Sequence, residues 1–452
     1  MRELVPIIIP VYNTTPATIF VTVAYLRAVS ENPIIVVDDG STRRETQEAL
    51  KLIEEKGLAV VLRKPNGGKI DAIRVGLEYA MKTYGSRCVF TQDDDVTPVP
   101  IGGEFDGLLS KHCAQLEEDF PVMTYPTLNQ IYVLRELVER HSLGQGLAEL
   151  GERVRRVKPD YDVRSYLREP NFLDRVQHVE HLVMTLHLRR ATGEGIWING
   201  TALLWLSTGL AEVIKRHSGE HGGDDIEMGV ILRELGRGIK FSDEISMYAE
   251  FVSNPKAIAR QKIMWNYGAY RAFFTHLKTS LRDPFYTAYI SAVPFAVIML
   301  LPLGGLRAYV AVLGMAFLLA QMMLTATYLP ARVRDSFMDS VKLYGGLYAG
   351  LLFLLLLIAH ASLYGNWSLL SIPLIGIAAS IVYLNYVIYK ANNGEKCRDR
   401  RLGVIDLLIY TGSSATYLAF FMPMGLGRYI VRKVIMEKLL GKKERTYKIL
   451  NH

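Results

Sequence analysis

Residues 33–41 read Pro33-Ile34-Ile35-Val36-Val37-Asp38-Asp39-Gly40-Ser41. Four β-branched apolar residues in a row suit a strand covered on both faces, as the strands of a parallel sheet are. Asp-Asp-Gly-Ser is turn chemistry that ends such a strand. Working outward, the same unit recurs. Upstream, Leu4-Val5-Pro6-Ile7-Ile8-Ile9-Pro10-Val11-Tyr12-Asn13 reads as a buried strand entering a loop, and an amphipathic helix follows near 18–30. Downstream, a charged helix over 42–56 leads to a strand over 58–63 and the loop Pro65-Asn66-Gly67-Gly68-Lys69. A helix over 70–84 and a strand over 87–91 then run into Asp93-Asp94-Asp95. Alternating strands and helices predict an α/β fold with a doubly wound, mostly parallel sheet. In such sheets ligands bind outside the carboxyl ends of the strands, where both acidic turns fall.

The pattern is less regular from 101 to 194, where helical stretches over 128–141 and 172–190 flank a charged, loop-like stretch at 157–170. A strand is expected over 196–206, a loop entering a helix over 222–235, and a helix with interleaved aromatic and basic residues over 254–278. That last spacing suits a helix lying on a bilayer surface.

Five apolar segments follow, at 285–303, 308–329, 343–364, 369–390 and 404–424. Each is near the length a helix needs to cross a bilayer. The last is interrupted by Gly412-Ser413-Ser414 and reads as re-entrant or as a hairpin, which leaves four clean spans. The loops at 331–342 and 391–403 are basic, which places them in the cytoplasm with the amino-terminal domain. Met1-Arg2-Glu3 runs directly into a strand pattern, so no signal peptide is expected at this end.

The chain has 452 residues, room for two or three domains, and a formal charge of +7. The charge is uneven: residues 425–452 carry a net +6 and residues 285–424 a net +4, leaving −3 for the rest. Basic residues that flank apolar segments face anionic headgroups, so the excess is no nucleic-acid footprint. Cys88, Cys113 and Cys397 are far apart and odd in number, and suggest neither a disulfide framework nor a zinc site. His217 and His221 around Gly219 read as solvated loop histidines rather than metal ligands.

Carboxylates clustered after a buried strand repel and desolvate badly unless a cation compensates them. A divalent ion bridging Asp93 and Asp95 to a diphosphate meets that need, and hard oxygen ligands suit Mg²⁺ or Mn²⁺. A solvated acidic turn is the plain alternative. Asp39 can accept from a base N–H or a ribose hydroxyl, and Lys69 can offer a cation to phosphate at a helix start.

In this order the motifs resemble the inverting family 2 glycosyltransferases, whose nucleotide-sugar-binding fold is called GT-A. Ile8–Asn13, Val36–Ser41, Asn66-Gly67-Gly68-Lys69 with Ala72 and Gly76-Leu77, and Asp93-Asp94-Asp95 with Pro98 carry the resemblance, which covers about residues 4–283. Within that family the chain is most similar to membrane-embedded processive synthases of the cellulose, chitin and hyaluronan type. Gly223-Asp224-Asp225 stands where those enzymes carry a catalytic acidic pair, and Asp225 matches the general base. The helix 177–190 followed by Trp197-Ile198-Asn199-Gly200-Thr201 is similar to their acceptor-side segment. Gln261 and Trp265 match the ends of their QxxRW element, with Met264 in place of the Arg that is expected to help hold the diphosphate.

The resemblance implies a GT-A domain over 1–253, interface helices over 254–283, membrane helices over 284–424 and a basic tail over 425–452. It implies a multi-pass protein of the cell membrane with a cytoplasmic catalytic domain. The donor is a nucleotide diphosphate sugar, UDP-sugar before GDP-sugar, and the acceptor a growing glycan. The catalytic pair is Asp224 and Asp225, the metal ligands are Asp93 and Asp95, and Asp39, Lys69, Gln261 and Trp265 complete the binding residues. A catalytic domain followed by about four spans equally suits single-sugar transfer to a lipid carrier such as a polyprenyl phosphate.

Overall fold

The structure is a computed structural model that describes residues 4–101, 103–191, 198–220, 222–281, 409, 413 and 421–439. It divides into two compact units. The first comprises residues 1–181, 192–255 and 443–452, and the second residues 182–191 and 256–442.

The first unit is a three-layer α/β domain. Strands β1 (Ile7–Val11), β2 (Ile34–Asp38), β3 (Val60–Arg63) and β4 (Cys88–Gln92) alternate with helices α1 (Pro16–Val29), α2 (Arg44–Glu55) and α3 (Lys69–Tyr84). Beyond them lie β5 (Val96–Pro100), α4 (Phe105–Gln115), β6 (Val122–Thr124), β7 (Thr127–Asn129), α5 (Leu134–Arg140), α6 (Gly144–Arg155) and α7 (Phe172–Ala191), which runs on into the second unit. Strand β8 (Ala202–Leu206), helices α8 (Ser207–Arg216) and α9 (Asp224–Glu234), and strands β9 (Ile239–Phe241) and β10 (Ile245–Ala249) close the unit.

The main sheet has seven strands in the order β3-β2-β1-β4-β8-β6-β9, and a smaller sheet pairs β5-β10-β7. In the main sheet β8 alone runs against its neighbours β4 and β6, while the other pairings are parallel. This is the parallel-dominated α/β architecture that the alternating pattern predicts.

Side chains of a strand alternate between faces, and the core divides accordingly. Ile7, Ile9 and Val11 pack with Ile34, Val36 and residues of α1, α2 and α4 in one cluster. Ile8, Ile35 and Val37 pack with residues of α3, α8 and α9 in the other. Ile7, Ile8 and Ile9 are all fully buried, each contributing roughly 1.5–3 kcal/mol relative to exposure. A proline inside a central strand would remove a ladder hydrogen bond. Here β4 pairs only with Ile7 and Ile8 of β1, so Pro10 stands where β1 has one registered neighbour, Val37 of β2.

Three expectations need correction. Cys88 and Cys113 form a disulfide, with Cα atoms 6.1 Å apart; helix α4 packs on the sheet and brings its cysteine to β4, a meeting invisible in the 25-residue separation. His217 is buried rather than solvated, 3.5 Å from the Glu227 carboxylate, and its Nδ1 accepts from the Gly219 amide at 3.0 Å. The stretch 128–141 is not one helix: its first two residues belong to β7, a 3₁₀ turn covers Gln130–Tyr132, and only α5 is helical beyond it.

In the second unit, α10 (Pro255–Thr275) and α11 (Leu277–Ser280) precede the undescribed residues, and α12 (Met422–Tyr429) continues into a π-helical stretch, Ile430–Leu439. Tyr267 of α10 lies between aromatic and basic groups of that carboxyl-terminal stretch: Tyr429 at 6.5 Å, Arg428 at 6.0 Å and Arg432 at 5.9 Å. Among the described residues no helix is long and apolar enough to cross a membrane. The first four expected spans lie wholly outside the described residues, and of the fifth only 409, 413 and 421–424 are described.

Candidate active site

The carboxyl ends of β1, β2 and β4 share one edge of the sheet. Strand order reverses between β1, which leads outward to β2 and β3, and β4, which leads the other way. That switch point opens the crevice in which doubly wound folds bind ligands. A hydrogen bond from the Thr14 hydroxyl, just beyond β1, to the Asp94 carboxylate, just beyond β4, spans it.

Because β8 is antiparallel, its amino end arrives at the same edge, with Ala202 in register with Gln92. The segment before it therefore lies beside the acidic turn, and the Asp93 amide donates to the Thr201 carbonyl at 2.9 Å. The Gly200 amide sits 3.3 Å from Asp225 Oδ2. A Cβ on Gly200 would lie 2.6 Å from that of Asp225, so only glycine leaves room for the carboxylate. Asp224 and Asp225 occupy the first turn of α9, where the unpaired amides and the positive end of the helix favour anions.

Lys69, the first residue of α3, forms an ion pair with Asp93. Lys69, Asp93, Gly200, Asp224 and Asp225 line one cleft, floored by Ile70, Leu203 and Met228. Four sequence-predicted site residues therefore converge from three separate stretches of chain.

The electrostatics follow from crowding. Burial and the neighbouring carboxylates push Asp95 well above the ordinary carboxylate range, with Asp94, Asp93 and Glu250 adding to the burial. Asp94 is pushed up to about 6 by burial, against the Thr14 hydrogen bond and with the help of Asp93. Burial also raises Asp93 and Asp225, in both cases opposed by the Lys69 ammonium. Burial disfavours the Lys69 cation, but Asp93, Asp224 and Asp225 outweigh it and hold the ammonium charged.

This donor set fits a divalent cation. Asp93 and Asp95 offer hard oxygens whose ionisation is costly without added positive charge, and among the described residues none donates a hydrogen bond to the Asp95 side chain. Among the described residues no three His, Cys, Asp or Glu side chains form a ready metal cage. Two carboxylates leave the remaining positions to phosphate oxygens and water, as Mg²⁺ sites commonly do.

Other predicted residues sit elsewhere. Asp39 is buried at the end of β2, and both its oxygens accept internal donors: Gly67 N and Gly68 N at 2.8 Å each, together with Lys64. Gln261 and Trp265 lie on α10 in the second unit, where the Lys262 ammonium stands 4.6 Å from the centre of the Trp265 ring. Trp197 lies outside the described residues. Sequence reasoning missed Thr14 and Lys64; neither carries a motif signal, because each acts through one long-range contact with an aspartate.

Lys69→Met is expected to shift the acid limb of the pH–rate profile upward. A base at Asp225 would have to be ionised, and burial already raises its carboxyl above the usual range. Removing the cation that lowers it raises the pKa further, so activity should appear only at higher pH. A limb that stays in place, read from kcat/KM across pH, would mean that Lys69 does not face Asp225.

Residues 7–104 match the Glycosyl transferase family 2 model. No curated protein sequence matches the chain. Similar solved structures include the mannosyltransferase PcManGT of Pyrobaculum calidifontis, in complex with GDP-Man and Mn²⁺, at 14% identity and TM-score 0.38, over 76% of this chain and 87% of that one. Another is TarS of S. aureus, at 13% identity and TM-score 0.36, over 76% of this chain and 52% of that one. A mycobacterial protein is similar at 14% identity and TM-score 0.33, over 61% of this chain and 74% of that one. At these scores the structural likenesses carry no argument about chemistry. The family 2 match spans β1 to β5 and the acidic turn at 93–95, and the chain is a glycosyltransferase.

Proposed function

We propose that this glycosyltransferase is a membrane-bound inverting enzyme that transfers a sugar from a nucleotide diphosphate sugar, UDP-sugar in the first instance, to a growing polysaccharide. The observation that carries this reading is the convergence of Lys69, Asp93 and the Asp224-Asp225 pair on one cleft at the switch point of the sheet. Asp225 accepts the proton of the attacking hydroxyl, and its raised pKa brings its basicity closer to working pH. Asp224 beside it keeps the local potential negative, and Lys69 supplies a cation that a diphosphate can share with Asp93. Asp93 and Asp95 would hold Mn²⁺ or Mg²⁺, which when bound neutralises charge on the departing nucleoside diphosphate.

Placement in the cell membrane, with the catalytic domain in the cytoplasm, is supported by the five apolar segments and the basic loops between them. The polysaccharide acceptor, and with it a sugar path leading to the membrane, rests on the resemblance of Gln261 and Trp265 to the synthase element.

The test is to incubate membranes containing the full chain with Mn²⁺ and a panel of labelled UDP- and GDP-sugars. Label in a polymer, with stoichiometric nucleoside diphosphate release, is expected. Label that extracts wholly with lipid would replace polymer synthesis by transfer to a lipid carrier. Absence of nucleoside diphosphate release with every donor would overturn both.

A further inference from the structure

The loop between β3 and α3 is wrapped around one buried ammonium. Lys64 is only 11% exposed in its side chain, and it pairs with Asp39 on one side and with Asp71 Oδ2 at 2.8 Å on the other. It also donates to the Pro65 carbonyl at 2.7 Å. Asp39, 4% exposed, accepts the Gly67 amide on one oxygen and the Gly68 amide on the other, both at 2.8 Å. Asp71 is held in turn by Arg74, at 2.8 and 3.0 Å.

The fit is tight enough to exclude a side chain at two glycines. A Cβ on Gly67 would lie 2.3 Å from Asp71 Oδ2 and 2.8 Å from the Lys64 ammonium. One on Gly40 would lie 2.7 Å from the Asn66 amide, which locks the turn after β2 against this loop. Gly68 has φ +91°, a conformation open to glycine, and the next residue is Lys69 at the start of α3. The direction in which Lys69 leaves the loop is thus set by the two amides that Asp39 holds.

Resting on the reading of the cleft as a sugar-nucleotide site, we propose that Asp39 and Lys64 are positioning residues: together they clamp loop 64–68 so that Lys69 meets Asp93. A carboxylate that serves two loop amides and an ammonium holds all three together, so removing it frees the loop that carries Lys69. Misplacing a binding cation by about 1 Å can cost on the order of 10²-fold in rate. The clamp therefore acts on catalysis through Lys69.

The experiment uses the full chain in detergent with Mn²⁺. It measures kcat/KM for a UDP-sugar and the matching GDP-sugar, and calorimetric binding of UDP and GDP, for wild type, Asp39→Asn and Lys64→Met, each also in a Lys69→Met background. Each single variant should lose roughly 10–100-fold in kcat/KM. The double variant Asp39→Asn/Lys64→Met should be no worse than the poorer single, because both remove one clamp. In the Lys69→Met background neither change should cost anything more. A merely structural role would persist there and would lower Tm in parallel. If Asp39→Asn fails to fold, Lys64→Met carries the same comparison. A loss in Asp39→Asn and in Lys64→Met that persists in full in the Lys69→Met background would overturn the clamp. Wild-type protein that binds neither nucleotide would instead overturn the reading of the cleft itself, and the clamp with it.

Discussion

Asp225→Asn should lower kcat by roughly 10²–10⁴-fold while UDP binding in the presence of Mn²⁺ survives. The amide matches the carboxylate in shape, so the packing against Gly200 is kept while the long 3.3 Å hydrogen bond from the Gly200 amide is lost. The Ile226 amide that donates to Asp225 Oδ1 at 3.0 Å also keeps an acceptor if the amide oxygen faces it. What is lost is the capacity to take a proton from the acceptor hydroxyl. The variant should also lose the acid limb of the pH profile, because the group that titrates there is gone. The measurement is single-turnover sugar transfer beside calorimetric titration with UDP. Full turnover in Asp225→Asn would remove it from the role of base, and loss of UDP binding would place it on the donor side.

The second large effect is expected at Asp95, where activity and stability should move in opposite directions. Its carboxyl is raised well above the ordinary range by burial and by Asp94, Asp93 and Glu250. A carboxyl whose folded-state pKa is raised favours the fold only while protonated; that advantage is complete below the unfolded pKa of about 3.9 and is lost as pH rises through the folded value. Above the unfolded value, burial of Asp95 therefore costs the metal-free protein stability. Asp95→Asn relieves the repulsion and should raise the apo Tm by roughly 2–4 °C at pH 7, with no gain near pH 3. The same change removes a hard oxygen ligand and should cost about 10³-fold in metal-dependent turnover, or about 4 kcal/mol. Thermal melts with and without Mn²⁺ read both halves: wild type should gain Tm on adding Mn²⁺, and the variant should gain little. A variant that melts lower than wild type without metal would contradict the electrostatic argument, and one that retains Mn²⁺-dependent turnover would contradict the metal assignment.

Such opposed effects are common where a fold stores unfavourable charge for use with a ligand. The first-turn acids of α9 and the triplet after β4 are placed together because the sheet aligns their elements. Asp225 and the triplet are stabilised by the fold less than their burial demands.

Legibility in the sequence followed the length and burial of each element. Strands β1, β2 and β4 are five residues long and buried throughout, and each opens on at least three apolar residues that announced it. Strands β6, β7 and β9 have three residues each, too few for any periodicity to register. Helix α4 went unread within a stretch of mixed composition, although it carries the cysteine that joins β4. The reversed direction of β8 could not be read at all, because strand direction is a property of pairing and not of residue type. It is this reversal that carries Gly200 and Thr201 to Asp93 and Asp225.

By itself the sequence determined the alternation of strands and helices, the acidic turns at 38–39 and 93–95, the pair at 224–225 and the apolar segments after residue 284. Those are local properties, written in side-chain period and in turn chemistry. The tertiary structure alone decided that Lys69 pairs with Asp93, that Asp39 is occupied by the loop carrying that lysine, and that a glycine at 200 makes room for Asp225. Each of these joins residues more than twenty positions apart, and only the packing of the sheet and its helices brings such residues within reach of one another.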